Sequence, residues 1–315
     1  MYHRFNEDKY PSTNIQMDIF KEHIKIIESL NINFINPKNL NLELNKIHSK
    51  KSILLTIDDG YSSFYNYAWP YLKSKKIPFI LFISTQQVGK VGYMSWKQIN
   101  EIQNSNIGEI GNHSHTHDYL VHYDEKSIKS DIDKAINIFE NRLGHNPKYF
   151  SYPFGEYSLN FINIVKENFE FAFGQHSGVI DLSKDKYQLS RFPINEKYGD
   201  LKRFKSIISY LPFYYKSIYP SERYINDENN PPDLKIEFFS KQKNIDKMTC
   251  YSNQGNKWRL LSVKNKLIIN EGEVYKILLK KIPEKFINKR GRVNCSLNDS
   301  EGWRWFGIQF VLSEN

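Results

Sequence analysis

The sequence predicts an α/β fold built on a parallel sheet or barrel, followed by a smaller unit made of strands. Over roughly the first two thirds of the chain, short apolar runs typical of buried strands alternate with helical apolar spacing. Several of these runs end directly in polar residues, the position where active groups collect in parallel α/β folds. After Tyr219 the helical spacing disappears, and strand-like runs alternate with turn signals.

The first half of the chain supplies one helix and three strands. Apolar residues recur at helical spacing over residues 20–30. Residues 53–57 form a short apolar run that ends in Asp58-Asp59-Gly60, which indicates a buried strand delivering two carboxylates into a turn. Residues 79–83 predict a second buried strand, and residues 109–112 predict a third that leads into a histidine cluster.

The alternation continues beyond the histidine cluster. Residues 128–143 carry one apolar face at helical spacing, and Gly144 ends the predicted helix. Residues 149–152 are strand-like, residues 161–165 are helical in pattern, and residues 169–173 are again strand-like.

Three segments follow from these patterns. The first domain covers residues 1–219, and residues 220–232, rich in Pro, Asn, Asp and Glu, are predicted to be a linker. Residues 233–315 are predicted to form a small all-β sandwich.

Charge and composition restrict the partners. The chain has 315 residues, of which 40% are hydrophobic, so it can bury a core. The formal net charge is +9, but Lys and Arg are scattered and accompany no nucleic-acid-binding motif, so nucleic acid is not an expected partner. An alternative interpretation of the positive charge is attraction of the protein to an anionic cell envelope. The sequence leaves the oligomeric state open.

Membrane and redox signals are weak. No apolar run reaches the ~18 residues of a membrane span, and no secretory leader is visible. Cys250 and Cys295 lack the close spacing of a metal or redox motif. They either pair in an oxidising compartment or lie buried as small apolar residues.

The histidine cluster His113-Ser114-His115-Thr116-His117 is the strongest chemical signal. Two imidazoles and a carboxylate form a common catalytic set for Zn²⁺ or a similar divalent ion, with one position left for water. Asp58-Asp59 can supply the carboxylate, because adjacent acids at a strand end repel each other unless a cation or a shared proton relieves them. The alternative is a solvated turn beside a surface histidine run.

Three motifs in order resemble a known family. Residues 56–60 (TIDDG), 113–117 (HSHTH) and 151–155 (SYPFG) resemble the motifs of the NodB-homology polysaccharide deacetylases, carbohydrate esterase family four. The resemblance covers about residues 1–210. It implies a distorted (β/α) barrel and a metal-dependent hydrolase that removes N-acetyl groups from an amino-sugar polymer.

The resemblance also implies residue roles. Asp59, His113 and His117 would bind the metal, with Zn²⁺ expected and Co²⁺ or Ni²⁺ as alternatives. Asp58 would be the general base, and the Phe154 N–H would stabilise the oxyanion. Ser114 would support the loop, and His115 need not touch the metal. The expected substrate contacts are made by Tyr152, Pro153, Phe154 and His176.

Two departures from the family pattern affect these roles. Ser151 stands where the family has an arginine that supports the catalytic aspartate, and Arg191 is the candidate replacement. The late histidine motif that supplies the general acid is absent. Tyr2-His3 resembles the N-terminal segment of the poly-N-acetylglucosamine deacetylase branch, so His3 is the expected acid and His176 the reserve. With only two residues before His3, an incomplete N-terminus is expected.

The branch resemblance favours poly-β-1,6-N-acetylglucosamine over β-1,4 polymers such as chitin or peptidoglycan, and a periplasmic or cell-envelope location. A metallo-β-lactamase-type hydrolase is disfavoured because His117-Asp118 reverses the order of that signature. A sugar-binding module that has lost catalysis remains an alternative, motivated by Ser151.

The sandwich is rich in aromatic residues. Trp303 and Trp305 alternate onto one face, with Trp258 and Tyr251 as companions. Such residues can stack on sugars, but a core role is the expectation in a small sandwich.

Overall fold

The computed structural model describes most of the chain. The described residues are 1–46, 51–181, 184–239, 242–254, 257–270 and 273–314.

A curled parallel sheet forms the centre of the first domain. The chain begins with four short strands: β1 (Arg4–Phe5), β2 (Asn14–Ile15), β3 (Asn33–Phe34) and β4 (Ser52–Ile53). The central sheet then has the order β5-β6-β7-β8-β9. Its strands are β5 (Thr56–Ile57), β6 (Phe79–Ile83), β7 (Gly108–Asn112), β8 (Tyr149–Ser151) and β9 (Phe171–Phe173), and every neighbouring pair is parallel. All five residues of β6 are buried, as expected for a parallel strand covered on both faces.

Seven α-helices accompany the strands in the described part of the chain. They are α1 (Met17–Ser29), α2 (Leu40–Lys46), α3 (Trp69–Lys75), α4 (Trp96–Asn104), α5 (Glu125–Leu143), α6 (Leu159–Lys166) and α7 (Leu201–Ile207), with a π-helical turn over Phe64–Ala68 before α3. The side chain of Asp124 caps the first turn of α5, and Gly144 ends that helix with φ 83°. The helix predicted to end at Gly144 is therefore confirmed.

The two ends of the sheet are joined by residues 189–194. Leu189 forms a parallel bridge with Phe173 on β9. Ile194 donates its N–H to the carbonyl of Met1 (3.0 Å), and Tyr2 bridges in parallel to Ile57 on β5. The segment thus closes the curled sheet into a distorted barrel, and the predicted α/β architecture is confirmed.

Two sheets, antiparallel except for one pair of strands, follow the barrel. Their strands are β10 (Tyr215–Tyr219), β11 (Tyr224–Ile225), β12 (Leu234–Phe238), β13 (Thr249–Gln254), β14 (Lys257–Leu260), β15 (Ser262–Asn270), β16 (Glu273–Lys281), β17 (Arg290–Asp299) and β18 (Gly302–Leu312). One sheet has the order β10-β12-β16-β15 and the other β11-β18-β17-β13-β14. Buried residues of both sheets, such as Ile236, Val293 and Phe306, share one apolar core, so the predicted sandwich is confirmed. Cys250 and Cys295 face each other on β13 and β17 and form a disulfide.

Strand pairing corrects the predicted domain limits. Strand β10 lies within residues 1–219 but pairs with β12 of the sandwich. Strand β11 lies within the predicted linker, residues 220–232, and pairs in parallel with β18. A two-residue strand among Pro and Asn gives no periodic signal, which is why the pattern indicated a linker. The sandwich therefore begins at Tyr215.

Within the described part of the chain, no helix combines the length and apolar character needed to cross a membrane.

Candidate metal centre and active site

The predicted site residues converge at the carboxyl ends of neighbouring parallel strands. Asp58 and Asp59 follow β5, His113 follows β7, and the turn Pro153–Gly155 follows β8. Parallel strands direct their carboxyl ends to the same edge, so residues that are far apart in sequence meet there.

Asp59, His113 and His117 form a compact cluster of potential metal ligands. One ligand atom from each lies within 4.8 Å of the others. The Asp59 Oδ1 atom is 3.3 Å from His113 Nε2 and 3.2 Å from His117 Nε2. Asp59 Oδ1 and His113 Nε2 are buried, and neither has a hydrogen-bond partner among the described residues. Buried polar atoms without partners are costly, and a divalent cation between them would satisfy both.

The orientation of His113 suits a metal ligand. Its Nδ1 lies 2.6 Å from the Ser151 carbonyl oxygen, which can only accept, so Nδ1 carries the proton. The Nε2 lone pair is therefore free to face Asp59. Fixing one ring nitrogen on a carbonyl is the usual way in which a protein orients a metal-binding imidazole.

The loop that carries the histidines is held in a strained conformation. Ser114 and His117 have φ values of 69° and 62°, in the left-handed region. The Ser114 hydroxyl accepts the N–H of His117 (3.0 Å), the supporting role that the resemblance implied. His115 directs its Nδ1 to the Thr85 hydroxyl (2.8 Å), so this imidazole nitrogen is engaged outside the ligand cluster.

Asp131 is a site residue that the sequence analysis missed. Its carboxylate accepts the N–H groups of His115 (2.7 Å) and Thr116 (3.1 Å) and the hydroxyl of Thr116 (2.7 Å). It thereby fixes the backbone between the two candidate ligands His113 and His117. The available signal was an acidic residue beside Ile132 on the apolar face of the predicted helix.

Asp58 is paired with the replacement arginine. Arg191 donates Nη1 to Asp58 Oδ1 (2.7 Å) and Nη2 to Asp58 Oδ2 (2.8 Å), and Nη2 also donates to the Ser151 hydroxyl (2.8 Å). Burial alone would raise the pKa of Asp58, but the Arg191 guanidinium lowers it below its usual value. The structure thus brings Arg191, in place of an arginine at position 151, to Asp58. The Asp58 carboxylate is therefore ionised at neutral pH.

His3 lies beside the Asp58-Asp59 turn. The preceding residue, Tyr2, accepts the N–H of Asp58 through its carbonyl (2.9 Å). His3 Nδ1 is buried and finds no hydrogen-bond partner in the part of the chain that is described. Burial lowers the pKa of His3, while the charges of Asp59 and Asp58 oppose that shift. Of the two candidate acids, His3 is the one beside both aspartates.

His176 and Tyr152 both pack against aromatic side chains. The His176 ring packs against Tyr157 at 6.0 Å, and burial lowers the pKa of His176 to about 3. Tyr152 is fully buried, packs against Phe161, and donates its hydroxyl to the Tyr187 carbonyl (3.1 Å). The expectation that Tyr152 contacts substrate is corrected, because a fully buried core side chain cannot reach a polymer in solvent. His176 is only partly buried, and its contact with substrate stays a prediction. Pro153 is buried as well.

The turn after β8 presents Phe154 to the site. Phe154 has φ 58° and Gly155 has φ 70°, so two successive residues are left-handed. The Phe154 ring stacks on Tyr119 (centroids 3.9 Å apart, 7° between planes) and meets the His117 ring at 4.8 Å. Gln309 on β18 donates Nε2 to the Phe154 carbonyl (3.4 Å). The sandwich therefore helps to hold this turn.

The chain resembles known polysaccharide deacetylases. The family model for polysaccharide deacetylases matches residues 45–168. The poly-β-1,6-N-acetyl-D-glucosamine N-deacetylase of Staphylococcus aureus is 23% identical over 200 residues, covering 58% of this chain and 68% of that protein. YxkH of Bacillus subtilis is 24% identical over 198 residues, covering 62% of this chain and 70% of that protein.

Solved structures share the fold. The deacetylase PplD of Streptococcus pyogenes, solved with acetate, superposes with a TM-score of 0.60 at 19% identity, covering 66% of this chain and 96% of that one. IcaB of Ammonifex degensii superposes with a TM-score of 0.56 at 23% identity, covering 66% and 94%. Residues 45–168 thus match the polysaccharide deacetylase family, and the solved structures show that the barrel has the NodB-type fold.

Proposed function

We propose that the protein hydrolyses the N-acetyl groups of an N-acetylglucosamine polymer, with a divalent metal ion, Zn²⁺ by preference, held by Asp59, His113 and His117. The observation that carries this proposal is the ligand cluster itself, with its ligand atoms within 4.8 Å of one another next to the ionised Asp58. Two imidazoles and one carboxylate suit Zn²⁺, and Co²⁺ or Ni²⁺ can take the same donors.

A bound divalent ion would supply Lewis acidity, which polarises the acetyl oxygen and lowers the pKa of water toward 7. Asp58 Oδ1 and Oδ2 are both bonded to Arg191, which keeps the carboxylate ionised and fixed. In the proposed reaction Asp58 takes the proton from the attacking water. Its neighbour Asp59 is the ligand, so each aspartate of the turn has one task.

The remaining steps use Phe154 and His3. The Phe154 N–H is proposed to donate to the oxygen that becomes negative, and the left-handed turn fixes its direction. The leaving amine must gain a proton, since an amide anion is a very poor leaving group. His3 is proposed to supply it, because it lies beside both aspartates.

The polymer is proposed to be poly-β-1,6-N-acetylglucosamine. The support is the S. aureus relative, whose name states that linkage, at 23% identity. Chitin and peptidoglycan, with β-1,4 linkages, are the alternatives.

The test is acetate release from β-1,6 and β-1,4 N-acetylglucosamine oligomers with Zn²⁺, Co²⁺ or Ni²⁺ and with a chelator. We expect metal-dependent release from β-1,6 oligomers and its loss in Asp58→Asn. Acetate release from β-1,4 oligomers alone would contradict the proposed preference for the β-1,6 linkage. No release from any oligomer with any metal would contradict the proposed reaction.

A further inference from the structure

One face of the five-stranded sheet leaves large apolar side chains in solvent. Tyr251 on β13 and Leu260 on β14 are register partners and are 42% and 58% exposed, and Trp258 is 46% exposed. The opposite face carries the buried disulfide Cys250–Cys295 and faces the sandwich core. The expected core role is thus wrong for Trp258 and Tyr251. Exposed apolar patches on globular proteins commonly mark interaction sites.

The strand register connects this face to the active site. Trp258 pairs with Asn253, Asn253 with Arg292, and Arg292 with Gln309, so the four residues form one row across β14, β13, β17 and β18. Residues paired in this way point to the same face of a sheet. The row ends at Gln309, whose amide holds the carbonyl of Phe154. Three strand spacings of about 4.8 Å separate its ends by roughly 14 Å.

The row has the chemistry of a sugar-binding surface. Trp258 offers a flat ring, on which the apolar face of a pyranose can stack. Asn253 and Arg292 lie between that ring and the active-site turn, and they offer hydrogen-bond donors to hydroxyl and acetamido oxygens. The Arg292 Nε donates to Gln309 Oε1 (3.2 Å), so this guanidinium is anchored at the site end of the row. Its positive charge disfavours the cationic amine of a deacetylated unit.

We propose that this row, with Tyr251 and Leu260 beside it, binds the uncharged, still acetylated part of the polymer while one unit occupies the active site. The proposal rests on the proposed function for the identity of the polymer. The surface is long enough to bind an oligomer but lies outside the ligand cluster. It therefore determines preference for chain length rather than the chemical step.

The experiment compares the kinetics of acetate release from polymer and from the disaccharide in Trp258→Ala and Tyr251→Ala. We expect the KM for polymer to rise about three- to tenfold, the loss expected when one aromatic contact is removed, and the KM for disaccharide to change much less. The matched control is Trp303→Ala on β18. Trp303 is also half-exposed but pairs with Asn298, outside the row.

Binding of the acetylated polymer is measured in parallel, by intrinsic fluorescence or calorimetry, on the same variants. Weaker polymer binding in Trp258→Ala but not in Trp303→Ala supports the proposed binding surface. This holds even if the wild-type protein releases no acetate, because a lack of release would contradict only the proposed reaction. Equal effects of Trp258→Ala on polymer and disaccharide, or no effect on either, would overturn the proposal. So would a change in oligomeric state with an unchanged KM, because the face would then join two copies.

Discussion

At the residue scale, the site depends on the buried ion pair between Asp58 and Arg191. Asp58 is bonded at both oxygens by Arg191, and both side chains are buried. In such a pair the loss of one partner leaves an uncompensated buried charge, which costs about 3–5 kcal/mol. Arg191 therefore contributes more to the stability of the folded protein than an exposed arginine does.

Replacing Arg191 with Met removes the charge that lowers the pKa of Asp58. The pKa of Asp58 then rises, so the base is protonated at higher pH and the acidic limb of the kcat/KM profile moves upward. We expect at least a tenfold loss of kcat/KM at neutral pH, with partial recovery in Arg191→Lys. An Arg259→Met variant, which loses only an exposed ion pair with Glu284, serves as the control. An unchanged acidic limb in Arg191→Met would contradict the pairing.

Asp131 is expected to support metal binding through its hydrogen bonds to the loop between His113 and His117. Asp131→Asn leaves the loop between the ligand histidines with weaker acceptors for two backbone N–H groups. We expect Zn²⁺ affinity to fall about 10–100-fold, the usual cost of losing such a supporting group, measured by competition with a chelating dye. Asp133→Asn, on the exposed side of the same helix, should match the wild-type protein. Equal affinities in both variants would show that Asp131 does not position the loop.

At the element scale, the turn after β8 combines left-handed backbone with close packing. A Cβ on Gly155 would lie 2.3 Å from the backbone nitrogen of Gln175, and backbone cannot move aside cheaply. The left-handed conformation of the turn is thus enforced by Gln175, which packs against Gly155, and by Gln309 of the sandwich, which donates to the Phe154 carbonyl. Such strain persists only where the surroundings enforce it.

Gly155→Ala therefore tests the turn against a matched glycine. Gly144→Ala also places Ala at a positive φ, but no atom lies within 4 Å of its new Cβ. We expect Gly144→Ala to cost about 1–2 kcal/mol of stability with kcat unchanged. Gly155→Ala should cost more stability and lower kcat strongly, because the Phe154 N–H moves. Denaturant unfolding and steady-state kinetics measure both, and similar kcat values would argue against a role for the turn.

At the scale of the whole molecule, buried contacts join segments that are far apart in sequence. His23 on α1 receives the Tyr2 hydroxyl at Nδ1 (3.0 Å) and donates Nε2 to the Gly199 carbonyl (2.7 Å). One neutral imidazole thus ties the N-terminal segment to the loop before α7. The sandwich is joined to the barrel by the Arg290–Glu156 ion pair and by Gln309.

Because His23 is neutral when folded, stability depends on pH. Burial lowers the pKa of His23 to about 4, whereas the unfolded chain has the ordinary value of 6.5. Between these values the unfolded state binds more protons, so the contribution is intact above pH 6.5 and is lost as the pH falls toward 4. The loss is about 3 kcal/mol. Urea unfolding between these limits should show a shallower pH dependence in His23→Gln, and identical slopes would contradict the assignment.

The sequence by itself predicted the candidate ligand set and determined the order of the elements. Asp58-Asp59 after one apolar run and His113 after another could be placed at one sheet edge, because parallel strands align their carboxyl ends. The predicted helix to Gly144 followed from a regular apolar period and a left-handed cap. These are local signals, and local geometry is enough to read them.

Only the tertiary structure decided which distant groups complete the site. Barrel closure by residues 189–194 brings Arg191 to Asp58, 133 positions away. Burial removed Tyr152 from the substrate contacts, and folding of α5 brought Asp131 to the histidine loop. Strand register placed Trp258 in line with Gln309. No local pattern encodes these contacts, because they depend on how separate segments pack and not on the period within any one of them.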